Sequence, residues 1–300
     1  MDNTLAVVFR EQIKKAISLS KVPGVVTEHN VFQEGDADIL PILDEMVESQ
    51  TLSGTGLDGL ENLEELLAKA ESGKSCLLLL EHYSNFDLSI FSLLVRRAKG
   101  RGDDIANALI AIAGMKLNED NPVVAAFASA YTRIVIYPSR SLHGLPAEKK
   151  QVELPRSFAI NRAAMKALDE AKTQGRLILV FPSGTRYRPW DPKTKQGVRE
   201  IDTYIKSFDY MCPIAINGEV LHVRQGDMME DSVSKDIVRI TAGKVISCSE
   251  FRDKVRAGVD AKVDQGEPAD KKQAVADAIM DLLEEMHIQG EEKRKLLLEK

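Results

Sequence analysis

Five short apolar runs constrain what this chain can fold into: CLLLL at 76–80, ALIAIA at 108–113, TRIVIY at 132–137, RLILVF at 176–181 and MCPIAI at 211–216. Each has the length of a buried strand, and none shows the polar alternation of a strand with one wet face. Helix-compatible stretches at 85–99, 121–129, 157–173 and 199–208 separate them. Strands and helices alternating in this way predict the α/β class, with a mostly parallel mixed sheet flanked by helices on both faces. IVRITAGKVIS (237–247) adds later strands, placed antiparallel at the edge. The chain closes on a helix whose apolar stripe is Ala274, Val275, Ala278, Ile279, Leu282, Leu283 and Met286.

Residues 1–72 read differently. Helices are expected to about Leu19, over 37–49 and over 58–72, with no strand signal between them. The expectation is a small N-terminal helical domain at 1–72 ahead of an α/β domain at 73–300. Leu5, Val8, Phe9, Ile13, Ala16 and Ile17 form one stripe of the first helix. Such a stripe most simply packs on neighbouring helices, with peripheral membrane contact as the second reading. The longest apolar candidate, 105–115, is too short to span a bilayer, and the N-terminus lacks a signal-peptide apolar region. A soluble, cytoplasmic protein is expected. Cys76, Cys212 and Cys248 show no CxxC spacing and lie in or beside apolar runs, so buried thiols are expected rather than disulfides. The five histidines include no HxxxH or HExxH pair, so no metal or other cofactor is expected.

Ligands of such sheets bind outside the carboxyl ends of the strands. Three motif-bearing segments follow strands there: EHYSNFD (81–87), PSR (138–140) and PSGTRYR (182–188). Segments far apart in sequence should therefore meet on one rim. Charge agrees with that placement. Residues 131–199 hold 14 Lys and Arg against 5 Asp and Glu, a balance of +9 in a chain of net charge −6. A basic middle in an acidic chain suits a local anionic ligand and argues against general nucleic-acid binding.

His82 and Asp87 admit two readings. Ser84 or Asn85 can cap the helix that follows, and Asp87 then sits in its first turn, where the macrodipole favours a carboxylate. With His82 in the loop before the cap, the same carboxylate can fold back onto one imidazole nitrogen, leaving the other as a general base. That is the histidine–carboxylate half of a triad, its nucleophile supplied by a substrate hydroxyl. The pair alone does not decide between capping and catalysis.

In FPSGTRYR, Pro182 ends the strand, Ser183, Gly184 and Thr185 offer small residues whose amides can turn toward an anion, and Arg186 and Arg188 project to one side. Two guanidiniums beside small hydroxyl residues suit a phosphomonoester. Arg140 leaves the carboxyl end of the strand 132–137, whereas Arg133 begins that strand and also fits a structural role. Lys116 and His143 are further candidates nearby.

His-x-x-x-x-Asp at 82–87, Phe-Pro-Ser-Gly-Thr-Arg at 181–186 and Cys-Pro-Ile-Ala-Ile at 212–216 together resemble the glycerol-phosphate acyltransferase superfamily. The resemblance is closest to the soluble, plastid-type glycerol-3-phosphate 1-acyltransferases, which share the Pro-Ser-Gly loop and a preceding helical domain. It covers about residues 75–220. It implies transfer of a fatty acyl group from acyl-carrier protein or coenzyme A to the sn-1 hydroxyl of glycerol 3-phosphate. It also implies His82 as base, Asp87 as its orienting acid, and Arg186, Arg188 and Arg140 as phosphate ligands. Thr185 stands where those enzymes often have a second glycine, Tyr187 where an acidic residue is common, and His143 has no assigned counterpart. A 1-acylglycerol-3-phosphate 2-acyltransferase and a non-catalytic phosphate- or lipid-binding protein are the alternatives. A P-loop is not among them: Ala68–Ser75 matches A-x-x-x-x-G-K-S formally, but it ends a helix and precedes a strand, the reverse of what phosphate cradling needs.

Overall fold

A computed structural model describes residues 3–143, 145–263 and 270–299. Eleven strands occur among them. They are β1 (Phe32–Gln33), β2 (Gly56–Asp58), β3 (Cys76–Leu80), β4 (Leu109–Gly114), β5 (Arg133–Ile136), β6 (Leu177–Val180), β7 (Tyr210–Asn217), β8 (Leu221–His222), β9 (Ser232–Val233), β10 (Arg239–Ala242) and β11 (Ile246–Ser247). Nine build one sheet in the order β1-β5-β4-β6-β3-β7-β10-β2, with β11 also on β7. The five predicted apolar runs are its centre, β5-β4-β6-β3-β7, and every pair there is parallel. β10 and β11 pair antiparallel with β7, as expected of the late strands, but β10 is not the edge, since β2 lies outside it; β1 on β5 is antiparallel as well.

The central strands are buried on both faces because helices cover both. One core contains Leu78 and Leu80 with Leu43, Leu63, Phe86 and Phe91; the other contains Leu77 and Leu79 with Ile160, Leu168, Ile279 and Leu283. Alternate residues of CLLLL therefore feed opposite cores, as a strand's two-residue period dictates. Leu5, Phe9, Ile13 and Ala16 join the first core, so most of the N-terminal stripe packs inward, whereas Val8 and Ile17 stay exposed. All three cysteines are free and buried, and burial pushes each thiol up to about 12.

Two expectations need correction. Residues 1–72 are not purely helical, since β1 and β2 supply the two edges of the sheet. Strands of two and three residues are too short to show a period in sequence. The long helix begins at Ala147, ten residues before the expected start, and carries Pro155 inside it. Proline removes one amide and crowds the preceding turn. Here Arg156 pairs with Glu119 and reaches the Val26 carbonyl, and Glu153 accepts from the Tyr137 hydroxyl, tying the helix down on both sides of the proline.

Candidate functional site

Register brings the motif-bearing segments together. Leu79 pairs with Val180 and Leu80 with Ile214, so Glu81-His82 and Phe181-Pro182 leave adjacent strands side by side. His82 Nδ1 lies 2.9 Å from Asp87 Oδ2. That oxygen also accepts the amides of Tyr83 at 2.6 Å and Ser84 at 2.9 Å, and Oδ1 accepts the Ser84 hydroxyl at 2.8 Å. Asp87 opens the helix Asp87–Arg97 and is buried. Capping and orienting are thus one arrangement: the carboxylate closes the turn 82–87 from inside and holds the imidazole at the same time. Because a carboxylate only accepts, the Nδ1 proton points to Asp87 and Nε2 keeps its lone pair. The ring stacks on Phe181, centroids 4.0 Å apart, and the His82 side chain stays 18% exposed, open to a substrate hydroxyl.

The 181–188 loop closes around the same point. The Tyr187 amide donates to the His82 carbonyl at 2.8 Å and the Gly184 amide to the Phe181 carbonyl at 2.8 Å. Gly184 has φ 61°, and a Cβ there would lie 3.3 Å from Arg140 Nη1, so the turn needs glycine. Arg140 donates to the Gly184 carbonyl, joining the segment after β5 to the one after β6. The Ser183 hydroxyl is spent on the Thr185 carbonyl at 2.7 Å. The amides of Ser183, Thr185 and Arg186 have no partner among the described residues.

The remaining candidates divide. Arg186 Nη1 sits 2.6 Å from Asp231 Oδ2, a fully buried carboxylate, and so ties the loop to the β8–β9 ribbon. Arg188 donates its amide to Thr194 and leaves its guanidinium without a partner among the described residues. Lys116 and His143 are exposed beyond β4 and β5, on the same rim. Arg133 is not at the site. It starts β5 at the opposite end, donates to the Ala128 carbonyl at 2.7 Å, and burial lowers its pKa to about 10. No group of three or more His, Cys, Asp or Glu that could hold a metal occurs among the described residues.

The residues on either side of His82 belong to a second network that the motifs did not indicate. Glu81 is buried. Its Oε2 accepts the Ile216 amide at 2.7 Å and lies 3.1 Å from His287 Nδ1; its Oε1 accepts the Tyr83 hydroxyl at 2.9 Å. Burial opposes a charge on His287, but the hydrogen bond and charge of Glu81 outweigh it, and the pKa is raised above 6.5. Glu284 raises it as well, and Lys195 lowers it. A raised pKa means that the folded state favours the protonated ring, so this stabilisation is full below the unfolded value and lost as pH rises through the folded one. The melting-temperature gap between the wild type and His287→Gln should accordingly be wider at about pH 5.5 than at about pH 8.5. An equal gap at both would show that the charge contributes nothing. His287 lies beside the helix stripe 274–286, and only its contact with a residue 206 positions earlier reveals it.

The family described as Acyltransferase matches this chain over residues 57–226, a span that includes His82, Asp87, Arg140 and the 181–188 loop. No curated protein matches. Among solved structures, the 1-acyl-sn-glycerophosphate (LPA) acyltransferase, PlsC, from Thermotoga maritima is similar at 13% identity and a TM-score of 0.41, over 83% of this chain and 80% of that one. Among the described residues no helix is long and apolar enough to cross a membrane.

Proposed function

Since this chain belongs to the acyltransferase family, we propose that it moves a fatty acyl group from a thioester of acyl-carrier protein or coenzyme A to the sn-1 hydroxyl of glycerol 3-phosphate. The observation that carries this reading is the Asp87-held imidazole stacked against the start of a loop that bears arginines and unpaired amides. Nε2 takes the hydroxyl proton as the oxygen attacks the thioester carbonyl. Amides of the 183–186 segment meet the developing oxyanion, the C–S bond breaks, and the imidazolium returns its proton to the thiolate. The phosphate docks between Arg188 and Arg140, with Arg186 held behind them by Asp231.

The test is thioester consumption by the purified chain with glycerol 3-phosphate against its 1-acyl product as acceptors, using both donors. Turnover of the 1-acyl acceptor alone would reject the sn-1 assignment, and no turnover with any pair would reject the enzyme reading. Arg188→Ala should raise KM for the phosphate acceptor by about 10- to 100-fold, the loss of one charged hydrogen-bonding partner, with kcat changed less. An unchanged KM would remove Arg188 from the site.

A half-open cavity of about 390 Å³, apolar on one side and bordered by Thr51, Ser53, Thr55 and Arg97 on the other, offers room for the acyl chain. It is lined by Ile90 and Leu94 of the helix that Asp87 opens, and by Leu52 and Leu57 from the N-terminal segment. Leu94→Trp fills part of it, and the preferred donor should shorten by several carbons in a mixed-chain competition assay. An unaltered preference would place the acyl chain elsewhere.

A further inference from the structure

The ribbon β8–β9 carries a group of three side chains that the proposed reaction does not use. Ser234 Oγ lies 2.6 Å from His222 Nε2, and His222 Nδ1 lies 3.2 Å from Glu219 Oε2. We infer that Ser234, His222 and Glu219 form a second, surface nucleophilic site that takes acyl groups from short activated esters and thioesters.

The backbone that carries the three residues is fixed by pairing. His222 pairs with Ser232 in the ribbon, and the Ser234 amide extends it by donating to the Val220 carbonyl at 3.1 Å. The Glu219 amide donates to Asp236 at 2.8 Å, and Asp236 is itself held by Arg294. Nucleophile, base and orienting carboxylate thus follow one another in the order that activates a serine. A carboxylate facing Nδ1 keeps the ring proton there, so Nε2 accepts from the Ser234 hydroxyl. Glu219 raises the His222 pKa through its hydrogen bond and its charge, and Asp236 adds to this; burial and Arg224 oppose it.

A backbone amide next to the nucleophile is free to serve as an oxyanion donor. The amide of Lys235, directly after the nucleophile, has no partner among the described residues, and Lys235 is exposed beside it. His222 is 41% exposed at its side chain, so an ester reaches the site from solvent. The site lies at the surface, which suits short acyl chains. In the reaction His222 takes the hydroxyl proton as Oγ attacks the carbonyl. The bond to the leaving group breaks, and the leaving group takes the proton, leaving an acyl-serine. Water, deprotonated by the same imidazole, then releases the carboxylic acid.

The test uses the full chain treated with p-nitrophenyl acetate, and separately with a fluorophosphonate probe, followed by peptide mass spectrometry. The expected result is an adduct on Ser234 in the native chain, absent when the chain is first unfolded in urea. His222→Ala should slow its formation by about 10²-fold, the contribution of a general base. No adduct on Ser234 in the native chain, or the same labelling after unfolding, overturns the inference without recourse to any variant. Equal labelling of wild type and His222→Ala overturns it as well.

Discussion

His82→Ala should lower acyl transfer by about 10²- to 10⁴-fold, the contribution of a general base, and leave the fold in place. The side chain makes one hydrogen bond and one ring contact, whereas the backbone carbonyl that receives the Tyr187 amide is kept by any residue. Asp87 retains three of its four donors in the variant. The loss of stability should therefore be about 1 kcal/mol, the net value of one hydrogen bond. Thioester release by the purified variant, measured beside its thermal melt, checks both halves. A rate near that of the wild type would end the proposal that His82 is the base.

Asp87→Ala should be as damaging to turnover and far more damaging to the fold. Truncation leaves the half-buried amide of Tyr83 and the buried amide and hydroxyl of Ser84 without their acceptor. Each unpaired buried donor costs about 1–3 kcal/mol. The imidazole also loses the partner that fixes its tautomer, a change worth about 10⁴-fold in serine proteases when aspartate becomes asparagine. Denaturant midpoints of the two alanine variants should separate clearly, with Asp87→Ala the lower. If Asp87→Ala melted like His82→Ala, the carboxylate would not be what closes the turn.

The parallel centre was legible because CLLLL, RLILVF and MCPIAI are apolar on both faces, and only strands covered on both sides read that way. The meeting of His82, Gly184 and Arg140 followed from the rule that such sheets gather their loops at one end. What escaped has physical causes too. β1 and β2 are specified by their partners rather than by their own residues, since two or three positions carry no pattern. Arg186 looked like a free cation because its pairing with Asp231 depends on a fold-back across 45 residues. Glu81, to which the motifs gave no role, anchors His287 and a β7 amide through tertiary contacts that no local pattern encodes.

The edge strands also bear on how the chain assembles. Gly56 of β2 pairs with Arg239, 183 positions later, while Phe32 of β1 pairs with Ile134, 102 positions later. The first sixty residues thus reach both outer margins of a sheet whose middle is made of later segments. As the chain leaves the ribosome, β2 has no partner until β10 is synthesised, so the apolar residues around it stay uncovered through most of translation. Such long closures make folding slow, and the exposed margins in the meantime are sites where another chain can add a strand. The late arrival of β10 thus sets when the β2 margin is covered.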